Sequence, residues 1–95
     1  MRIIRTAIFR KWTDKLKDKK ALATITVRLS RIATGHFGDV KYLGDDVSEM
    51  RIHYGPGYRV YYTQRGEDII FLLAGGTKSS QARDIRKAKN MVKDL

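Results

Sequence analysis

The sequence predicts an α+β domain, with helices packed on one small, mostly antiparallel sheet. Three observations lead there. Residues 48–62 alternate apolar and polar side chains on both sides of Gly55-Pro56-Gly57, the pattern of a β-hairpin. Ile69-Ile70-Phe71-Leu72-Leu73-Ala74 is an unbroken apolar run, as in a strand covered on both faces. Two stretches before these strands and one after them repeat apolar residues every three or four positions, the period of a helix that buries one face.

A short strand is expected from Arg2 to Arg5. Thr6 then caps a helix whose apolar stripe is Phe9, Trp12 and Leu16, and the polar knot Lys17-Asp18-Lys19-Lys20 ends it. A second helix carries Leu22, Ile25, Leu29 and Ile32 on one face and stops at Gly35, a residue suited to the left-handed position after a helix end. The two make an αα-hairpin whose polar faces, with Lys15, Lys19, Arg28 and Arg31, read as solvated surface. Gly35 to Asp46 holds three glycines and reads as a loop.

The β-hairpin follows. Met50, Ile52 and Tyr54 share its apolar face with Tyr58, Val60 and Tyr62, while Glu49, Arg51, His53, Arg59 and Tyr61 share the other, since successive strand side chains point to opposite sides. Gly66 turns the chain into the apolar run, and Gly75-Gly76 ends that strand. Ser79 or Ser80 caps a last helix with Ala82, Ile85, Ala88, Met91 or Val92, and Leu95 on its stripe. The expected order is β-α-α-β-β-β-α in a single domain, residues 1–95.

Composition narrows the function. The 95 residues suffice for one modest core. Twenty Lys and Arg against ten Asp and Glu give a net charge of +10, which draws nucleic acid, an anionic membrane surface or an acidic protein. There is no cysteine, so disulfides and thiolate metal sites are excluded. No apolar run is long enough to span a bilayer, and Arg2 and Arg5 interrupt the N-terminal apolar stretch, so neither membrane association nor a signal peptide is expected. A cytoplasmic location is the expectation, with no cofactor and no metal.

Two phrases go further. Glu49-Met50-Arg51-Ile52-His53-Tyr54-Gly55-Pro56-Gly57-Tyr58-Arg59-Val60-Tyr61 and Leu72-Leu73-Ala74-Gly75-Gly76-Thr77-Lys78-Ser79-Ser80-Gln81 resemble the RelE/ParE superfamily of toxins, and within it the HigB-like "addiction module killer protein" branch. The resemblance covers nearly the whole chain, including Trp12, Leu16 and Arg28-Leu29. It implies a RelE-like fold and the toxin of a type II toxin–antitoxin system, neutralised by a cognate acidic antitoxin. RelE-like members cleave mRNA in the A site of the 70S ribosome; ParE-like members poison DNA gyrase instead.

By position in the family motif, Arg59 falls where RelE-like nucleases keep a catalytic arginine. Arg51 falls near a basic residue of the preceding strand, with a one-residue gap, and Lys78 matches a further basic position. The tyrosine or histidine that RelE-like enzymes often place near the start of the last helix falls at or beside Arg83 and Asp84, neither of them aromatic. Here the chain departs from the pattern.

Metal-free RNA cleavage needs a base for the 2′-hydroxyl, cations for the crowded phosphorane and an acid for the departing oxygen. Arginine does not deprotonate in proteins but clamps a non-bridging phosphate oxygen well. Arg59 and Lys78 are therefore expected on the scissile phosphate, with Arg51 stabilising charge or holding flanking backbone. A symmetric hairpin about the Gly-Pro-Gly turn would set His53 opposite Arg59 and Arg51 opposite Tyr61. His53, with an ordinary pKa of ~6.5, would then serve as acid or base. Asp84 and Glu49 are the other candidates. Asp84 has a structural alternative, pairing with Lys78 or Lys87 or favouring the helix dipole, and Glu49 reads better as a partner of Arg51. Tyr61 is expected to stack on a base and Gln81 to contact a base or phosphate, or else to take part in a cap. Trp12 is expected in the core, and His36 to be structural. The Arg51, Arg59 and Lys78 set favours a nuclease over a gyrase inhibitor, which has no need of it, and over a non-catalytic nucleic-acid-binding module, which charge alone would support.

Overall fold

Strand β1 (Arg2–Arg5) leads into Thr6, whose hydroxyl oxygen accepts the Phe9 N–H at 3.2 Å and donates to the Leu73 carbonyl at 3.0 Å. That cap satisfies one of the free donors at the start of helix α1 (Ala7–Lys15) and ties it to the sheet. The computed structural model describes all residues, Met1–Leu95. In it the polar stretch 17–20 does not simply close α1. Asp18 starts helix α2 (Lys19–Ala33), its Oδ1 accepting the N–H groups of Lys20 and Ala21 at 3.0 and 3.1 Å, so Lys19 and Lys20 are already helical. Helix α2 ends as expected, at Thr34 with Gly35 following at φ +88°. Its buried stripe begins at Ala21 rather than Leu22, which is only half-buried.

The stretch expected as a loop, Gly35 to Asp46, contains strand β2 (Val40–Gly44), paired antiparallel with β3 (Val47–Ile52). The two-residue link Asp45-Asp46 lies in the left-handed region at φ 52° and 62°, the geometry that matches strand twist in a tight hairpin. Aspartate tolerates that region, but Asp-Asp announces it less clearly than Asn-Gly. The element order is therefore β-α-α-β-β-β-β-α, with one more strand than expected. Strands β4 (Tyr58–Arg65) and β5 (Ile69–Thr77) complete a five-stranded mixed sheet in the order β1-β5-β4-β3-β2, where only β1 and β5 run parallel. The fold is α+β, and no helix is long and apolar enough to cross a membrane.

Gly75 and Gly76 do not end β5; they lie inside it. A side chain at Gly75 would collide with the Trp12 ring, and one at Gly76 with the Asp84 carboxylate. These glycines let two elements approach the sheet closely. A 3₁₀ turn (Lys78–Ser80) leads into helix α3 (Gln81–Lys93), which neither Ser79 nor Ser80 caps by its side chain. Asp84, Ala88 and Val92 form the buried stripe of α3, while Ala82 and Leu95, expected inside, are exposed. A carboxylate heading a buried stripe is invisible to apolar periodicity.

The sheet has a core on each face. Phe9, Ile25, Leu29 and Ile32 of α1 and α2 cover Met50, Val60 and Leu72 on one side. On the other, Ala88 and Val92 of α3 cover Tyr61, Leu73 and Val47. The polar face of the β3–β4 hairpin is thus no open surface. Helix α3 packs over it, and Glu49 and Tyr61 have no solvent exposure.

Candidate functional site

The β3–β4 register places Arg51 opposite Arg59, Glu49 opposite Tyr61, and Ile52 opposite Tyr58. His53 therefore does not face Arg59, nor Arg51 Tyr61. The turn is centred on Gly55 rather than Pro56. Tyr54 N–H donates to Ile52 O at 2.9 Å and Gly57 N–H to Tyr54 O at 3.1 Å, with Gly55 and Gly57 left-handed at φ 55° and 78°. Moving the centre by one residue moves each cross-strand partner by two, which keeps every side chain on its face.

Two arginines directly opposite each other repel. Glu49 resolves this from beneath: its Oε2 lies 3.3 Å from Arg51 Nε and its Oε1 3.4 Å from Arg59 Nε. Gln81, at the start of α3, donates its amide to Glu49 Oε1 at 2.6 Å. The carboxylate is fully buried, and a buried charge persists only when partners compensate its lost hydration. Gln81 is thus committed to Glu49 through its amide nitrogen, and does not present that group to a ligand.

Arg59 Nη1 donates to the Gly57 carbonyl at 2.6 Å, and its side chain is only 12% exposed. A Cβ at Gly57 would meet Arg59 Nη1 at 2.9 Å and Lys78 Cβ at 3.5 Å, so the glycine lets these two residues converge. Lys78 follows directly on Thr77, which pairs with Tyr58. It is exposed and has no carboxylate within 4.0 Å. The structure thus brings Arg51, Arg59 and Lys78 together at the head of α3.

The proton-transfer candidates lie elsewhere. Tyr61 is buried beneath α3 and its hydroxyl has no hydrogen-bond partner, so it cannot stack on a base. Burial pushes its phenol well above the ordinary value, and the charges of Glu49 and Asp84 add to this. Asp84, 7% exposed, rests on Gly76 and accepts the Ser80 hydroxyl at 2.5 Å. Its nearest cation is Arg83, with Nε 4.0 Å away, and neither Lys78 nor Lys87 pairs with it. Its place in the first turn of α3 suits the helix dipole. His53 is exposed and its Nε2 meets Asp39 Oδ2 at 2.5 Å, on the β2 side of Arg51. That hydrogen bond is the main cause holding the Asp39 carboxyl below its usual value, with the charges of His53, Arg51 and Arg28 helping.

Arg28 was expected on a solvated face. Instead its Nη1 donates to the Arg51 carbonyl at 2.8 Å and its Nη2 to the Phe37 carbonyl at 3.2 Å, pinning β3 and the segment before β2 to α2. No three His, Asp or Glu side chains converge as metal ligands do. The arrangement can bind and polarise an anion of phosphate type: two anchored guanidiniums beside one free ammonium.

No protein-family model matches the chain. An uncharacterized protein of Haemophilus influenzae (strain ATCC 51907 / DSM 11121 / KW20 / Rd) is 42% identical over 90 residues, covering 95% of this chain and 91% of the relative. The chain belongs to the family of that Haemophilus protein. The relative's description carries no activity, and the functional reading rests on the cluster itself.

Proposed function

We infer that this chain is the toxin of a type II toxin–antitoxin system with a RelE-like fold, a ribosome-dependent endoribonuclease that cleaves mRNA by attack of a 2′-hydroxyl on the adjacent phosphate without a metal. The observation that carries this reading is the Arg51–Glu49–Arg59 arrangement with Lys78 unpaired beside it. Arg59 uses one Nη1 hydrogen on Gly57 and holds its buried Nε 3.4 Å from Glu49 Oε1 in an ion pair without a hydrogen bond, which leaves Nη2 for a phosphate. Arg59 and Lys78 hold the non-bridging oxygens and stabilise the phosphorane; Arg51 holds a flanking phosphate. Removing one preorganised donor of this kind costs about 3 kcal/mol of transition-state stabilisation. His53, hydrogen-bonded to Asp39, is exposed on the Arg51 side, and in this reading it serves in proton transfer only where the bound mRNA brings its 2′-hydroxyl to that side. The partner that silences the chain is an acidic antitoxin, whose carboxylates would neutralise the cluster at net +10.

A second reading, a ParE-like gyrase inhibitor, gains from one observation: Tyr61 and Asp84 are buried and His53 is displaced from Arg59, so no proton-transfer group faces the clamp. Inducible expression separates the two. Transcript breaks inside codons together with lost translation support the nuclease; intact transcripts with altered plasmid supercoiling overturn it.

A further inference from the structure

Strand β1 pairs with β5 only from Ile69 to Leu72, and α1 lies along the remainder of β5. Between α1 and α3 a groove of about 330 Å³ opens over that remainder. Gly75, Ile8 and Trp12 line it, and Lys11, Lys15 and Lys87 surround it. All three lysines are exposed, and none has a carboxylate within 4.0 Å. Ammonium groups gathered without a counter-ion raise the local potential and draw in an anion. Trp12, expected wholly within the core, is only half-buried. It packs on Phe9 and Tyr58 at ring-centroid distances of 5.8 and 6.3 Å, and also lines the groove.

The groove lies along β5, whose last residue, Thr77, precedes Lys78, although none of Arg51, Arg59 and Lys78 lines it. Gly75 precedes Gly76, the residue paired with Arg59, and stands three residues before Lys78, about 10 Å along a strand. A single strand of nucleic acid held at Arg59 and Lys78 has this groove within reach of its next nucleotides. Apart from the lysines, the lining is one indole, one isoleucine, one alanine and one glycine, room for a planar base rather than for the row of large apolar anchors that a partner helix inserts. Cations around an aromatic floor are the arrangement by which single strands are held without sequence preference.

We propose that this groove is a nucleotide subsite for single-stranded RNA, with a base against Trp12 and Ile8 and the adjoining phosphates on Lys11, Lys15 and Lys87. The identity of the nucleic acid as RNA rests on the nuclease reading. Trp12 is the single tryptophan of the chain, so its fluorescence reports directly on the groove. The test is titration of the whole protein with a short 2′-O-methylated oligouridylate, which lacks the attacking hydroxyl and is not cut. Saturable quenching is expected. Lys15→Gln and Lys87→Gln should each weaken binding several-fold and lower the salt slope by about one. Lys41→Gln, on β2 at the far edge of the sheet, should change neither, and polyglutamate of matched charge should not displace the oligonucleotide.

The proposal falls if quenching is absent, if Lys41→Gln weakens binding as much as Lys15→Gln does, or if polyglutamate competes equally. Quenching with the full lysine dependence by a protein that cuts no ribosome-bound mRNA would support the subsite while overturning the nuclease reading. Loss of the lysine dependence in a protein that still cuts would do the reverse.

Discussion

Arg51 and Arg59 stand directly opposite each other on β3 and β4, and each brings its Nε within 3.4 Å of the same buried carboxylate, that of Glu49. The pair exists as a clamp only because Glu49 offsets the repulsion between like charges. Glu49→Ala should therefore destabilise the protein by about 3 kcal/mol, the lower end for breaking a buried pair, because Arg51 is 32% exposed and can rehydrate. Glu49→Gln should lose less, since it keeps the volume and a partner for Gln81. Urea denaturation of the three proteins checks this. A Glu49→Ala variant as stable as wild type would show that the carboxylate does not hold the cluster.

The three cations should divide the work. Arg59→Ala should lower growth arrest and in-vitro cleavage by about 10²–10³-fold beyond what its lost stability explains, the protein staying folded because Glu49 keeps Arg51 and Gln81 as partners. Lys78→Ala should lower the single-turnover rate with substrate affinity nearly unchanged, because Lys78 converges on Arg59 at Gly57. Arg51→Ala should act more on affinity and reduce its salt dependence. Single-turnover cleavage of ribosome-bound mRNA over a range of salt separates these effects. A wild-type rate for Lys78→Ala would remove Lys78 from the set that touches the scissile phosphate.

Much of the scaffold was legible because periodicity reports burial. Phe9, Ile25, Met50, Val60 and Leu72 fall in the core as the alternating and helical patterns require, and Thr6 and Gly35 punctuate the helices as expected. Strand β2 was missed because its turn is Asp45-Asp46 and three glycines mask its neighbourhood. Within the site, Arg59, Lys78 and Arg51 do come together. The faces of the hairpin were also correct, but not its register, which depends on where three turn residues place their centre. What no one-dimensional pattern contains is which face α3 covers. Covering this one turned Tyr61 from a candidate platform into a core residue, buried Asp84, and committed Gln81 to Glu49. Arg28 likewise looked like surface because its carbonyl partners are 9 and 23 residues away.

Tyr61 makes the burial testable by pH. Its folded-state value lies above the ordinary ~10, so whatever stability it contributes is fully present below pH ~10 and declines as pH rises further and the unfolded chain alone ionises. Ultraviolet titration should find Tyr61 ionising only as the protein unfolds. Tyr61→Phe removes a buried hydroxyl that lies near the Glu49 carboxylate without a well-formed hydrogen bond, so it should change stability by no more than about 1 kcal/mol, with a shallower alkaline loss. A Tyr61→Phe variant that is markedly less stable at neutral pH would mean that the hydroxyl is bonded after all.

Gly75→Ala tests the close approach of α1 to β5. Any Cβ there overlaps the six-membered ring of Trp12, and that ring is held in turn by Phe9 and Tyr58. A flexible side-chain tip would swing aside at little cost, but a packed indole moves only by shifting its neighbours. Destabilisation of about 1–3 kcal/mol is expected, the usual range for overpacking a well-filled site. Because Trp12 is the sole tryptophan, its emission should shift in the same variant, reporting a displaced ring. Trp12→Leu in the Gly75→Ala background should recover part of the loss, since the smaller side chain admits the methyl. If the double variant is as unstable as the sum of the two single changes, Trp12 is not the group that excludes a side chain at position 75.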